Sequence, residues 1–500
     1  MTKKLIAGLA ACAVLPLCAL AACADDKAPK ADPTLELDGS FARIDMRTDV
    51  VSAHEGVKAL DGNGNDITDR IKLSVDGDGE NYSIADGAVA FSACGDYTVR
   101  YTVDDGYGKT AVAEKSVQVR NIYSVYLTNA TLPPLYCALD MAATEYKFIY
   151  FNDREGTVDV SCYGDRVVGD YKNTQADYDA AVQSFKTLYS DDEYSYFRMF
   201  IPDARNQMAL RVLVSGGVDT GRYEIKYLSD GSMSYNASFP YRGEDAYDKW
   251  QTNVDIYNNM YELAASGAEL SYGGVTLGDG FLAYELHDCF IAAAQKDNAE
   301  FWGAFPEALT SADARVQAEI DKAHLVKKQP EVMYAGLTDA QKRLFLTSVS
   351  FDKDAFDKEY FAADGKYLIV TGAKSITGGL TSERFIELMR RICGDYAEYN
   401  ILFKPHPSGI PSSETYPDVY KYMNDSNIRI LPGRLPMEVI SWVYGDALIG
   451  GFDSSLFMSV PQGNTAFFIA KDASKLSAVS KLLYESGAFG DVAFYWSEGA

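Results

Sequence analysis

The sequence predicts a small β-sandwich followed by two Rossmann-like α/β domains that face a cleft. Three observations lead to this fold class. Residues 95–119 alternate apolar and polar side chains, as strands with one buried face do. Two later regions, starting near residues 122 and 353, contain short apolar strands separated by helical stretches. The first 23 residues have the composition of an export signal, so the folded part begins after them.

Composition places the protein among ordinary globular chains and limits its partners. Its 500 residues are 47% apolar, which suffices for packed cores in about three domains. The formal net charge of −25 repels nucleic acid and anionic lipid surfaces, so neither is an expected partner. An anionic ligand would therefore be bound locally, by a few basic groups, hydroxyls and helix ends.

The N-terminus resembles the signal of a bacterial lipoprotein. Two lysines precede an apolar run, and the small residues before Cys23 resemble a lipobox, in which this cysteine is acylated. An ordinary cleaved signal peptide is the alternative. We expect residues 1–23 to be the signal and residues 24–33 a flexible linker. Because no later stretch is apolar enough to span a bilayer, the protein is expected to be exported and held at the cell envelope by lipid alone.

The cysteines after Cys23 lack the spacing of a zinc site or a CxxC motif. They predict mostly buried free thiols, with one disulfide as the alternative, and no structural metal. These residues are Cys94, Cys137, Cys162, Cys289 and Cys393.

Residues 34–121 are expected to form the β-sandwich. Asp105-Gly106 marks a turn between two alternating runs. The apolar positions of the first run are Tyr97, Val99, Tyr101 and Val103. This pattern is typical of an immunoglobulin-like fold, here without the Cys-Trp-Cys core of antibody domains. We expect the module to space or support its neighbour, with ligand binding as the alternative.

The first α/β domain is expected over residues 122–352. Thr338 and Gln341 fit a capping box that begins a helix, with Leu337 as the preceding hydrophobic staple. The region between the last predicted strand and about residue 350 is expected to be helical. The predicted strands are 123–127, 148–151 and 223–228, and the predicted helix before the last of them is at about 175–188.

The second α/β domain is expected over residues 353–474, followed by a helix at about 475–500 that packs back onto the first domain. Apolar residues recur at helical spacing from Phe385, and Gly394 is expected to end that helix. The predicted strands of this domain are 367–370, 400–403 and 447–449.

Candidate ligand-binding residues follow the strands of the second domain, because open α/β sheets bind ligands beyond the carboxyl ends of their strands. These residues are Gly372, the segment Lys404-Pro405-His406-Pro407, and Ser454 with Ser455. The two prolines restrict the backbone around His406 and keep it out of a helix. Ser454 and Ser455 are expected to cap a helix whose N–H groups help bind phosphate, although serine at such a position is often purely structural.

Two carboxylates complete the candidate site. Glu438 lies in the first turn of a helix, with Pro436 expected at the first helical position. Its carboxylate could accept hydrogen bonds from two ribose hydroxyls or simply complement the helix dipole. Asp230 occupies a turn after strand 223–228, either as an ordinary turn residue or as a general base facing His406 across the cleft. Lys404 is equally open between a ligand contact and a surface lysine.

The chain from about residue 123 to 500 resembles the bacterial family 80 sialyltransferases. The family has the GT-B arrangement, in which two Rossmann-like domains enclose a cleft. Some members also have an export signal and an immunoglobulin-like domain in front. The matching segments, in order, are YLTNATLPPL, LSDGSMSY, LTDAQKRLFLTSVSF, KYLIVTG, FKPHPSG, MEVI, SSLFMSVP and GDVAFYW.

The resemblance implies inverting transfer of sialic acid from CMP-sialic acid to a galactoside-type glycan acceptor, without a metal ion or cofactor. It implies that Asp230 is the general base and that His406 hydrogen-bonds or protonates the departing phosphate. Ser454 and Ser455 correspond to phosphate-binding hydroxyls, and Glu438 to the ribose-binding carboxylate. The further donor contacts that it implies are Gly372, Lys404 and Pro407.

Departures from the family pattern concern the acceptor side. Ile376 stands where the best-known members have tryptophan, and Ser408 where they have arginine. Ser229 replaces an aspartate before the Asp-Gly pair, and Ser232 is a further acceptor-side candidate. The acceptor, the α2,3 or α2,6 linkage and any sialidase side activity are therefore left open. The protein is expected to be a monomer.

Other function classes are compatible with the sequence. A non-catalytic, surface-tethered glycan-binding protein is permitted by the β-sandwich and the 35 tyrosines. A related GT-B enzyme that uses CMP-Kdo or a CDP-polyol is another alternative, since HP and SS elements also occur there. Metal-dependent GT-A chemistry is disfavoured, because the DxD segment Asp177-Tyr178-Asp179 lies in a predicted helix.

Overall fold

A computed structural model describes residues 31–496 apart from short gaps. The chain forms two compact units, Met1–Val119 and Arg120–Ala500. Cys23, Ile376, Pro407 and Ser408 lie outside the described residues, as do the predicted signal and most of the predicted linker. The residues that are not described are 1–30, 77–79, 153–156, 237–238, 273–274, 277–288, 363, 376, 407–412, 434, 462 and 497–500.

The first unit is built from β-strands. β8 and β9 form a long antiparallel pair, and the predicted alternation in β8 is confirmed, because its four apolar positions are all buried. The immunoglobulin-like assignment of this unit stays a prediction. The strands are β1 (Thr34–Leu37), β2 (Phe41–Asp45), β3 (Val50–Ser52), β4 (Val57–Leu60), β5 (Lys72–Asp76), β6 (Tyr82–Ala85), β7 (Ala88–Phe91), β8 (Gly95–Asp104) and the first part of β9 (Thr110–Thr128).

The first half of the second unit contains a parallel sheet to which the end of β9 contributes. The further strands of this half are β10 (Lys147–Asn152), β11 (Val167–Lys172), β12 (Ser195–Pro202), β13 (Tyr223–Leu228), a separate hairpin of β14 (Ser271–Tyr272) and β15 (Val275–Thr276), then β16 (Ala299–Gly303) and β17 (Leu325–Lys327). The strand order is β11–β10–β9–β12–β13–β16–β17, with parallel neighbours. This is the doubly wound order of dinucleotide-binding folds.

The second half has a parallel sheet of the same kind. Its strands are β18 (Lys366–Thr371), β19 (Tyr399–Lys404), β20 (Arg429–Ile430), β21 (Leu448–Gly451), β22 (Thr465–Ile469) and β23 (Ala493–Tyr495). Their order is β20–β19–β18–β21–β22–β23, with parallel neighbours. Two Rossmann-like sheets in succession confirm the predicted fold class.

Helices connect the strands in both halves of the second unit. No described helix is both long enough and apolar enough to cross a bilayer. The α-helices are α1 (Leu132–Ala143), α2 (Gln175–Asp191), α3 (Asn206–Ala209), α4 (Ser232–Asn236), α5 (Ala246–Ala265), α6 (Phe290–Ala293), α7 (Ala314–Ile320), α8 (Pro330–Gly336), α9 (Asp339–Ser348), α10 (Lys353–Tyr360), α11 (Ser382–Asp395), α12 (Pro417–Asp425), α13 (Met437–Val443) and α14 (Ala478–Glu485).

The prediction of a helical region up to about residue 350 is wrong in part, because the region contains β16 and β17. These strands are too short for a periodic pattern to identify, and they are strands because each pairs with a neighbour in the sheet. β11 and β12 were not predicted at all. By contrast, the capping box of Thr338 and Gln341 at the start of α9 is confirmed.

Helix ends in the second half also differ from the predictions. Gly394 does not end α11, because the helix continues to Asp395. Gly394 also lacks the positive φ that a glycine terminating a helix commonly has. Pro436 precedes α13 instead of occupying its first position, with φ −59° and ψ 129°. Glu438 nevertheless lies in the first turn of α13, as expected.

The predicted helix over residues 475–500 is wrong in extent. α14 ends at Glu485, close to Gly487, whose φ of 77° suits the left-handed backbone that terminates a helix. The chain then returns to the second sheet as β23, which pairs with β22. α14 packs against α4 of the first half.

The cysteines of the described region form no disulfide. Cys137 and Cys289 are buried, and Cys94, Cys162 and Cys393 are half-buried. The prediction of thiols without a disulfide is therefore confirmed, but only two of the five are buried.

Candidate active site

The strand order of the second sheet creates a crevice between β18 and β21, where the chain switches from one side of the sheet to the other. The loops after β18, β19 and β21 line this crevice and carry the predicted donor-side residues. Backbone hydrogen bonds tie them together. The Gly372 N–H donates to the Lys404 carbonyl at 2.9 Å, and the Phe452 N–H donates to the Thr371 carbonyl at 3.2 Å.

Gly451 allows β18 and β21 to approach closely at the crevice. Its φ is 151°, and a Cβ at this position would lie 2.1 Å from the Thr371 Oγ1 atom. The Thr371 hydroxyl donates to the Gly450 carbonyl at 3.3 Å. The Gly-Gly pair therefore shapes the loop that presents Ser454 and Ser455.

Ser454 and Ser455 begin a short 3-10 turn, Ser455–Met458, instead of the longer helix that was predicted. Ser454 occupies the capping position, but its side chain makes no capping hydrogen bond. Ser455 is exposed and Ser454 is half-buried. Because a single short turn has little dipole, this loop is suited to bind an anion mainly through its hydroxyls.

Asp453, the residue before these serines, is bonded to the start of α14. One carboxylate oxygen accepts a hydrogen bond from the Ser477 N–H at 2.5 Å, and the other accepts one from the Ser480 hydroxyl at 2.5 Å. Sequence analysis did not single out Asp453, because its partners are more than twenty residues away in the chain.

Lys404 is buried, with only 2% of its surface exposed. Its Nζ donates to the Pro405 carbonyl at 3.0 Å and to the Gly433 carbonyl at 2.9 Å. Burial lowers the pKa of the ammonium to about 8, while the charge of Glu438 acts in the opposite direction. The side chain therefore connects the loops after β19 and β20 and is not a surface lysine, while its contact with the nucleotide stays a prediction.

His406 and Glu438 are both partly buried near this ammonium. Burial lowers the pKa of the His406 imidazole, and the charges of Lys404 and Lys374 lower it further. The imidazole is thus neutral at neutral pH and can donate one ring N–H. Burial raises the pKa of the Glu438 carboxyl, although its backbone N–H and the Lys404 charge oppose the change.

Asp230 follows β13 in the first sheet, in a turn where Gly231 has φ 62°. The Asp230 N–H donates to the Ser234 Oγ atom at 2.9 Å, and this atom lies 2.9 Å from the Ser229 Oγ atom. Both serines are buried. Sequence analysis missed this hydroxyl pair, although a serine a few residues after an aspartate is a local turn signal. Ser232, half-buried, is the first residue of α4.

The two halves of the second unit meet at this turn. An ideal Cβ on Gly231 would lie 3.4 Å from the Ser455 Cβ atom. A small cavity next to this contact is lined by residues of both halves, among them Ser229 and Ser459. The structure therefore places the turn of Asp230 against the loop of Ser454 and Ser455.

No cluster of three or more His, Cys, Asp or Glu side chains in the described part of the chain is arranged to hold a metal ion. The DxD segment lies within α2. Independence from metal ions stays a prediction.

No protein-family model matches the chain, and no curated protein matches it significantly. Among solved structures, a sialyltransferase from Photobacterium damsela is 16% identical with a TM-score of 0.56, and the match covers 91% of this chain and 99% of that chain. A 2,6-sialyltransferase from Photobacterium sp. JT-ISH-224, solved with CMP and lactose, is 15% identical with a TM-score of 0.53, covering 91% and 96%.

The GT-B domain of the Photobacterium damselae sialyltransferase also matches, at 17% identity and a TM-score of 0.52, covering 75% of this chain and all of that chain. At these identities the similarity establishes the fold. The chain therefore has the GT-B fold, with two Rossmann-like domains, that these sialyltransferases share.

Proposed function

We propose that the protein is a sialyltransferase that transfers sialic acid from CMP-sialic acid to a galactoside-type acceptor with inversion. The observation that carries the proposal is the contact between the turn of Asp230 and the loop of Ser454 and Ser455. This contact sets a candidate base of one domain against candidate phosphate ligands of the other. Solved structures with the same fold are sialyltransferases, and one of them binds CMP and lactose, which supports this donor and acceptor class.

In the proposed reaction, the donor nucleotide occupies the crevice at the carboxyl ends of β18, β19 and β21. Glu438 accepts hydrogen bonds from the ribose hydroxyls. Ser454 and Ser455 donate their hydroxyls to the phosphate, and His406 donates a ring N–H to it. Neutral donors of this kind suit a protein whose net charge is −25, because the ligand is held without a large basic surface.

Asp230 accepts the proton of the acceptor hydroxyl as the acceptor oxygen forms a bond to the anomeric carbon. The bond from that carbon to the phosphate oxygen breaks, and its electron pair leaves with CMP. Negative charge therefore grows on the phosphate, where each donor aimed in advance stabilises the transition state by about 3 kcal/mol. Attack opposite the leaving group inverts the anomeric centre.

We further propose that this reaction uses no metal ion or cofactor, because hydroxyl and imidazole donors balance the phosphate charge. We also propose that the protein is a monomer anchored to the cell envelope through acylated Cys23. The lipobox-like segment before this cysteine supports the anchor.

Product analysis tests the proposal most directly. Incubation with CMP-sialic acid and a panel of galactosides in EDTA is expected to yield a sialylated product and an equal amount of CMP, and NMR of the product gives the linkage. Asp230→Ala should nearly abolish turnover. Asp219→Ala is the matched control, because it removes an exposed aspartate from the turn at the opposite end of β13 and should leave turnover unchanged.

The other function classes give different outcomes in the same assay. If the protein binds a glycan but releases no CMP from CMP-sialic acid with any acceptor, a non-catalytic glycan-binding protein would be favoured. Turnover of CMP-Kdo or a CDP-polyol, but not of CMP-sialic acid, would favour a related GT-B enzyme.

A further inference from the structure

Asp453 lies between two structural features that the proposed reaction would use. It immediately precedes Ser454 and Ser455, the proposed phosphate ligands. Its carboxylate accepts hydrogen bonds from the Ser477 N–H and the Ser480 hydroxyl, both at 2.5 Å, at the start of α14. Neither Asp453 nor α14 is among the proposed substrate contacts.

α14 also reaches the proposed base through α4. α14 packs against α4, the short helix that directly follows the turn of Asp230. Within α4, Ser234 accepts the Asp230 N–H at 2.9 Å. A continuous set of contacts therefore runs from the phosphate loop through α14 and α4 to the turn of the base.

Electrostatics make a carboxylate at position 453 unexpected. An ionised carboxylate next to a phosphate-binding loop repels the ligand and weakens its binding. In the structure both carboxylate oxygens of Asp453 accept hydrogen bonds from the start of α14, where the helix dipole favours negative charge. The charge of Asp453 therefore weakens phosphate binding, whereas its two hydrogen bonds stabilise the position of the loop.

We propose that Asp453 is a positioning residue that fixes the loop of Ser454 and Ser455 to α14 and so holds this loop against the turn of Asp230. The inference rests on the proposed function, because in-line displacement requires the phosphate and the base to stand at a set distance. In this proposal, the contacts through α14 and α4 couple the binding of the donor phosphate to the position of Asp230. A displacement of about 1 Å in such an arrangement can cost about 10²-fold in rate.

Two substitutions each remove one partner of the hydrogen bond between Asp453 and Ser480. Asp453→Ala removes the carboxylate. Ser480→Ala leaves the charge unchanged but removes the hydroxyl that donates to Asp453 and accepts from the Ser477 hydroxyl at 3.1 Å. Asp472→Ala is the control, because this exposed aspartate caps the neighbouring turn Ala473–Lys475 through a 2.8 Å bond from the Ser474 N–H. It changes the net charge as much as Asp453→Ala does, without touching the phosphate loop.

The readouts are CMP affinity by calorimetry and the kcat and KM for CMP-sialic acid. Asp453→Ala and Ser480→Ala are each expected to weaken CMP binding about 5-fold and to lower kcat about 10-fold, whereas the control should match the wild type. In the double variant the two effects should not add, because both substitutions break the same contact.

The direction in which CMP affinity changes in Asp453→Ala tests the proposal. Loss of charge alone would tighten CMP binding in Asp453→Ala, so tighter binding overturns the proposal. A variant that melts at a lower temperature, yet binds CMP and turns over normally where it is folded, shows a merely structural role and also overturns it. Failure of the wild type to bind CMP contradicts the proposed function itself, which is a separate result.

Discussion

Replacement of Lys404 by methionine tests how the nucleotide crevice is held together. The Lys404 ammonium is enclosed and donates to the carbonyls of Pro405 and Gly433. Methionine keeps an unbranched, flexible side chain but removes the charge and the donors. Both carbonyls therefore lose a hydrogen bond, and the loops after β19 and β20 lose their connection.

Two opposing terms set the stability of Lys404→Met. Hydrogen bonds from a charged donor contribute about 1.5 to 3 kcal/mol each, and two are lost. Against this, burial lowers the pKa of the lysine from 10.5 to about 8, so removing the buried charge returns about 3 kcal/mol. The expected net destabilisation at pH 7 is therefore about 0 to 3 kcal/mol.

The pH dependence of stability separates these terms. Because the pKa of Lys404 is lower in the folded protein, the cost of its buried charge is fully present below about pH 8. It disappears between about pH 8 and 10.5, where the folded protein releases the proton before the unfolded chain does. Urea unfolding across this window should show the wild type gaining stability relative to Lys404→Met.

Activity is expected to fall further than stability. The loop of His406 and the helix of Glu438 are both near this ammonium, so kcat/KM for CMP-sialic acid should fall about 10²-fold in Lys404→Met. Lys374→Met is the matched control. This exposed lysine also lowers the pKa of His406, but it does not make the two hydrogen bonds through which Lys404 connects the loops. Normal kcat/KM in Lys404→Met, with Lys374→Met equally active, would refute the reasoning.

Further predictions concern His406, the contact of Gly231 with Ser455, and the first unit. His406→Ala should lower kcat by about 10² or more, and NMR titration should show that the pKa of His406, depressed by burial and two lysines, rises when CMP brings negative charge next to the ring. Gly231→Ala should destabilise the protein by about 1 to 2 kcal/mol, because φ is 62°. It should lower turnover about 10-fold, because the strained turn carries Asp230 and lies in contact with Ser455. Deletion of residues 24–121 should preserve turnover, since the described site residues all belong to the second unit.

Each of these predictions has a contrary outcome. Full activity of His406→Ala would remove the imidazole from the mechanism, and an imidazole pKa unchanged by CMP would show that the ring does not contact the phosphate. Gly217→Ala is the control for Gly231→Ala, because its φ of 64° gives the same backbone strain while a Cβ there meets nothing within 4 Å. Equal losses in both glycine variants would contradict the role of the contact with Ser455. Loss of turnover on deletion would show that the first unit helps to form the site.

Much of the donor side could be predicted from local sequence. The apolar runs of β18, β19 and β21 stop just before Gly372, at Lys404 and at Gly450, and in parallel sheets such ends meet at one edge. Turn residues likewise located Asp230 after β13. The burial of the side chains could not be predicted in this way. The sequence left Lys404 open between a ligand contact and a surface lysine, and only the structure shows that its ammonium is buried and bonded to two carbonyls.

The sequence by itself determined about where the site-bearing strands β13, β18, β19 and β21 end and which polar residues follow them, because hydrophobic periodicity and turn chemistry act over a few neighbouring positions. Only the tertiary structure decided that Gly231 meets Ser455, that Asp453 binds the start of α14 and that Lys404 is buried. Burial, pKa and hydrogen-bond partners depend on packing between segments far apart in the chain, and no local pattern records that packing.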